Sequence, residues 1–265
     1  MASYEVNGRW GGRLTSRPLP EHDASIEELA AADRQALAEI WLGRAANERR
    51  VSDSFAVVRD ALIATRSDPS LIELAARAVD DELRHAELCR VVASRFADRE
   101  LDAPARLTLA VPPHRTASPE LRHTLHIVGQ SCFNETIASA VLETSLASAE
   151  GPLVTAALRE LLGDEIDHAR IGWAHLAQVR PEIRAKLERW IAPLARGNLK
   201  MWRETPRRYA TNGALVAQGA LSAETTEATL RVAIRDLAIP GFERLGIRTA
   251  EVRERLAMGA PTVGS

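Results

Sequence analysis

Apolar residues recur along most of this chain at the three- and four-residue spacing of an α-helix. Gly and Pro divide the pattern into long intervals rich in Ala, Leu, Glu and Arg. The first predicted helix covers about 33–66 and the second about 70–97, separated by Asp68-Pro69, a capping residue followed by proline at the first helical position. The third begins near Ser118-Pro119 and runs to Ala149; after a tight turn at Gly151-Pro152 the fourth continues to Gln178, before Pro181. A connection containing Pro104, Pro112 and Pro113 joins the second to the third. Two short turns and one long connection predict an all-α fold, an antiparallel four-helix bundle over 33–178 with one crossover. Residues 1–32 read as an N-terminal arm. Residues 179–265 read as a C-terminal helical extension packed on the bundle.

The apolar stripes of all four helices are interrupted at a similar depth. The second reads Leu71, Leu74, Ala78, Glu82, His85, Cys89, Val92, and the fourth reads Leu158, Leu161, Glu165, His168, Gly172, His175. Each interruption belongs to a D-E-x-x-H sequence, Asp81 to His85 and Asp164 to His168. Residues three apart share a helix face, so each Glu-x-x-His can aim a carboxylate and an imidazole at one metal ion. A carboxylate in an apolar row needs such a partner, because burying it alone costs several kcal/mol. The third stripe contains one acid, Glu135. On the first, Glu48 and Asp53 both compete; Glu48 is preferred because Asn47-Glu48 precedes one D-E-x-x-H glutamate by 34 residues (82 − 48) and Asn134-Glu135 precedes the other by 30 (165 − 135).

The six candidate ligands are therefore Glu48, Glu82, His85, Glu135, Glu165 and His168. Four carboxylates and two imidazoles suit a pair of iron ions, or manganese, better than structural zinc, which favours thiolates and imidazoles. With this set, residues 33–178 resemble the ferritin-like di-iron carboxylate superfamily. Asp81-Glu82-Leu83-Arg84-His85 is also similar to the DExRH motif of bacterial multicomponent monooxygenases. The resemblance implies that Asp81 and Asp164 act behind the metal, orienting the histidine ligands. It also implies O2 as co-substrate. Leu161 stands where arylamine oxygenases of the superfamily carry a further histidine, and the only tyrosines, Tyr4 and Tyr209, lie outside the four helices, against a tyrosyl-radical subunit.

Neighbouring layers point to the kind of chemistry. With both short turns placed at one end, Ala45, Cys89, Cys132 and Gly172 would form a layer of small residues beside the metals, with Trp41 and His175 beyond it as part of a lid. Such a layer could admit a compact organic substrate, although close helix packing explains it equally well. The expected activity is an oxidase or oxygenase acting on a small molecule, with an external reductase supplying electrons. Iron handling by a ferroxidase and peroxide removal by a manganese catalase or peroxidase are the alternatives. Arg84 and Asp167, like Glu87 and Arg170, occupy equivalent places in the two motifs and could pair between the second and fourth helices. The simpler account is local, Arg84 with Glu87 and Asp167 with Arg170 as ion pairs three residues apart.

Composition changes little in this picture. Lys and Arg number 34 against 36 Asp and Glu, giving a net charge of −2 and no electrostatic reason to expect nucleic acid as partner. Two cysteines are too few for a disulfide framework. No stretch has the length and apolarity of a membrane span, and a cytoplasmic protein is expected. The modest basic bias after residue 182 suggests a solvated or homodimer-facing surface.

Overall fold

The computed structural model describes residues 14–204 and 211–258; Tyr4, Tyr209 and the first 13 residues of the N-terminal arm lie outside them. Among the described residues the secondary structure is entirely helical. A short α1 (Ala24–Glu27) precedes α2 (Ala31–Ala64) and α3 (Pro69–Ala97), which form a long hairpin. Asp68 caps α3 by accepting from Ser70 N at 2.8 Å, with Pro69 placed where no helical N–H is needed.

The third predicted helix is a composite. It begins as α4 (Pro119–Ile127), widens into a π-helical segment over Val128–Asn134, and resumes as α5 (Glu135–Ser148). Gly151 opens α6 (Pro152–Gln178). The Gln218 side chain packs against this glycine where a Cβ would stand. The extension supplies α7 (Pro181–Arg203), α8 (Gly213–Ala217), α9 (Ala223–Val232), a second π segment over Ala233–Ala238, α10 (Ile239–Arg244) and α11 (Ala250–Met258).

The two short turns lie at opposite ends of the four long helices. Ser67, in the α2–α3 turn, contacts His175 Nδ1 near the far end of α6 at 3.0 Å. At the other end Arg44 of α2 reaches Ser145, close to the α5–α6 turn, at 3.5 Å. The crossover after α3 runs back along the bundle, where Arg106 pairs with Asp53 of α2 and Pro112 O accepts from His126 at 3.0 Å. A connection of that length lets α4–α5 run parallel to α3, whereas a short turn would force the strictly alternating arrangement.

This arrangement overturns the predicted small-residue layer. Ala45, Cys89 and Trp41 pack with Leu142, Leu158 and Leu161 toward the α5–α6 turn. Cys132 belongs instead to the cluster of Val128, Leu176 and the extension, and His175 lies at the α2–α3 turn. At Gly172 the contact is closed, because a Cβ would stand 2.7 Å from Cys132 Sγ and 2.8 Å from Ser131 Cβ. The four small residues therefore flank the centre from two sides and serve helix packing. One stripe residue also shifts: Leu74 is exposed, and Ala75 takes its place in the core.

The extension covers the outer side of α4–α5. Residues 131–137 are consequently all buried, which a one-sided amphipathic helix never achieves. No described helix is long and apolar enough to cross a membrane.

Candidate metal centre

The two D-E-x-x-H motifs meet in the middle of the bundle. Glu82 and His85 on α3 are fully buried, and Glu165 and His168 on α6 are nearly so. One ligand atom from each of Glu82, Glu165 and His168 falls within 4.8 Å of the others, forming a buried carboxylate–carboxylate–imidazole triad. His85 completes the group, its Nδ1 lying 3.5 Å from Glu82 Oε2 and 3.7 Å from Glu165 Oε1. The matching distances from His168 Nδ1 are 3.0 Å to Glu82 Oε1 and 3.3 Å to Glu165 Oε2. Each central glutamate thus turns one oxygen toward each imidazole. Phe55 of α2 packs against the His168 ring with centroids 4.9 Å apart.

The far nitrogens face aspartates crosswise, and only that of His85 is within hydrogen-bond distance. His85 Nε2 lies 3.1 Å from Asp164 Oδ2 on the opposite helix, and His168 Nε2 lies 3.6 Å from Asp81 Oδ2. Each aspartate therefore serves the histidine of the other motif, a geometry that directs Nδ1 inward. Arg84 joins the two halves by contacting both Asp164 and Asp81, and Arg77 lies outside it. The local pair expected between Arg84 and Glu87 does not form: Glu87 instead binds Arg90 at 2.7 Å. Asp167 and Arg170 do pair.

The outer carboxylates come from the other two helices. Glu135 is buried, and its Oε1 accepts from Gln130 Nε2 and, at 3.2 Å, from Asn134 Nδ2. Burial first, then the charges of Glu165 and Glu82, push its pKa well above the ordinary carboxylate range. Glu48 is partly buried and is pushed up likewise, by burial and by Glu82 and Glu165, which places it within electrostatic reach of the centre. Asp53 pairs with Arg106, and Glu48 is the α2 acid whose carboxyl feels the charges of Glu82 and Glu165.

Charge on the central groups has the opposite pattern. Burial works to raise the Glu82 carboxyl, but the imidazoles of His168 and His85 at its oxygens outweigh it and hold it low. Burial works to lower His85, but Asp164, Glu82 and Glu165 bring it up to about 10. His168 is raised for the same reason, by Asp81, Glu165 and Glu82 against burial.

The donor set fits a cation. Both oxygens of Glu82 and Nδ1 of His85 are buried without a well-aligned hydrogen bond. Polar atoms so placed cost several kcal/mol unless something else satisfies them, and their convergence from two helices marks a shared focus. No protein-family model, curated protein or solved structure matches the chain. The assignment therefore stands on this geometry alone.

Sequence reasoning missed Gln130 and the bridging role of Arg84. Asn134 was visible only as half of the Asn-Glu repeat.

His175, predicted near a lid, is a buried residue whose pKa burial lowers to about 4. A depressed folded-state value means that its stabilising effect is present above about pH 6.5 and is lost as pH falls toward 4. The full difference is on the order of 3 kcal/mol. Urea unfolding of wild type and His175→Gln between pH 4 and 7 should show a stability difference that changes by that order; a constant difference would refute the assignment.

Proposed function

We propose that this chain is a non-haem di-metal oxidase or oxygenase of ferritin-like design that uses O2 to oxidise a small organic molecule. The observation that carries the di-metal reading is the paired geometry: two central glutamates, each facing both inward imidazole nitrogens, with an aspartate from the opposite motif beside each outer nitrogen, hydrogen-bonded at His85 and 3.6 Å away at His168. Glu82, His85 and Glu48 would hold one ion and Glu165, His168 and Glu135 the other, with Glu82 and Glu165 between the two imidazoles. Iron is preferred for an all-oxygen-and-imidazole set of this charge, with manganese as the alternative.

When bound, two such ions supply redox chemistry and Lewis acidity that the side chains lack. The chain itself contributes orientation: Asp164 and Asp81 fix the imidazoles, Arg84 fixes the aspartates, and amides fix Glu135. Leu, Ala and Phe side chains on both sides of the group keep bulk water out. The large extension packed over α4–α5 supports an enzyme over a simple iron store, since a metal-binding bundle alone does not need it.

Metal analysis of the purified protein should give two irons per chain. The di-ferrous protein, supplied with O2 or with peroxide, should oxidise at least one member of a small-molecule library. A hollow shell filled with iron would reject this reading for storage, and rapid peroxide dismutation with bound manganese would reject it for a catalase.

A further inference from the structure

We propose that Trp202, in the C-terminal extension, is a positioning residue for the metal centre: its indole N–H sets the amide of Asn134, and Asn134 sets the carboxylate of Glu135. The inference rests on the di-metal reading above and gives the extension a part in the site.

The argument begins with what each group can do. An indole nitrogen only donates, and Trp202 Nε1 lies 3.0 Å from Asn134 Oδ1. The other end of the amide, Nδ2, is thereby turned toward Glu135 and donates to Oε1 at 3.2 Å. The two ends of an asparagine amide are nearly identical in shape but opposite in polarity. Reversed, it would set a carbonyl oxygen against a buried carboxylate, and Trp202 excludes that orientation. Gln130 is keyed in the same way: Ser54 donates to its Oε1 at 2.5 Å, leaving Nε2 to donate to Glu135 Oε1. With two amides on Oε1, Oε2 is the atom left to face the centre.

The π segment makes this convergence available. Gln130 and Asn134 precede Glu135 by five and one residues; Gln130 is half-buried and residues 131–135 are buried. The first hairpin contains a counterpart. Arg50, also a pure donor, contacts Asn47 Oδ1 at 2.5 Å, and the same Nη2 lies 3.6 Å from Met201 Sδ. Consecutive residues at the end of α7, Met201 and Trp202, thus reach toward the asparagine before each outer glutamate.

The test uses the full-length protein with Trp202→Phe, which keeps an aromatic ring and removes the donor. Trp173→Phe is the control, an indole in the same apolar cluster without a hydrogen bond among the described residues. In the metal-free protein, exchange of the Asn134 side-chain amide protons, followed by NMR, should be faster in Trp202→Phe and unchanged in the control. In a cobalt(II) titration followed by visible absorption, Trp202→Phe should alter the spectrum and weaken binding about tenfold, the lower end of losses for outer partners. Wild-type exchange and a wild-type spectrum in Trp202→Phe would overturn the proposal, as would equal defects in both variants. If the wild-type protein takes up no cobalt, the di-metal reading fails, and the exchange measurement alone decides the Trp202–Asn134–Glu135 chain.

Discussion

Glu82→Gln is expected to cost the protein its tight metal binding, by more than the roughly tenfold to hundredfold loss that follows removal of an outer partner of a metal-bound imidazole. Glu82 is fully buried, and its oxygens face His168 Nδ1 at 3.0 Å and His85 Nδ1 at 3.5 Å. The amide preserves the shape but removes the charge, and it puts a donor where a lone pair is needed. Asp164→Asn is the calibrating variant: among the candidate ligands Asp164 touches the far nitrogen of His85, at 3.1 Å, and its loss should fall within the outer-partner range. Anaerobic iron(II) titration, with circular dichroism as the check on folding, separates the two. Equal losses in both variants would show that Glu82 is not a ligand. In the wild type, affinity should climb with pH, because bringing a cation to His85 and His168 must displace the protons that their carboxylate neighbours hold there.

Arg84→Leu should be the most destabilising single change at the edge of the site, lowering the unfolding free energy of the metal-free protein by about 3 kcal/mol. The Arg84 side chain is 12% exposed and contacts two aspartates that are 15% and 19% exposed. It also donates to Leu14 O at 3.0 Å. Removing the cation leaves Asp81 and Asp164 facing one another in a mostly buried setting, where breaking a pair costs far more than the pair itself is worth. Arg77 contacts the same two acids but is 57% exposed, so Arg77→Leu should cost under about 1 kcal/mol. Urea unfolding in the presence of a chelator measures both. Similar small losses would mean that water, and not Arg84, neutralises the aspartates.

The Arg84 result bears on what sequence patterning can see. A charge three residues from another on one helix always offers a local partner, and Asp81 and Glu87 stand equally far from Arg84 by that rule. The Glu87 carboxylate goes instead to Arg90, and Arg84 crosses to Asp164 on α6. Nothing in local spacing ranks those options, because the choice depends on which helix lies alongside and at what height.

The same reason explains the failure of the small-residue layer. Counting residues from a turn places Glu135 and Glu165 at equal depth within one hairpin, and Glu48 and Glu82 roughly so within the other. That arithmetic is unaffected by how the hairpins are set end to end. Which residues flank the buried Glu/His group on a given side does depend on it, and the crossover put the turns at opposite ends. Ala45 and Cys89 then fell on one side, Cys132 and Gly172 on the other. The π segment escaped notice because apolar spacing continues through Val128, Cys132 and Glu135. An added residue per turn changes which neighbours point inward without breaking that rhythm.

By itself the sequence determined the long helices, their capped and proline-marked ends, and the two Glu-x-x-His faces. Those features depend on backbone geometry and residue type within a few positions of one another. Tertiary structure alone decided that Asp81 serves His168 while Asp164 serves His85, that Arg84 bridges them, that the turns oppose one another, and that Trp202 stands over Asn134. Each of those is a contact between segments distant in the chain, set by how helices register against each other, and no local period encodes that register.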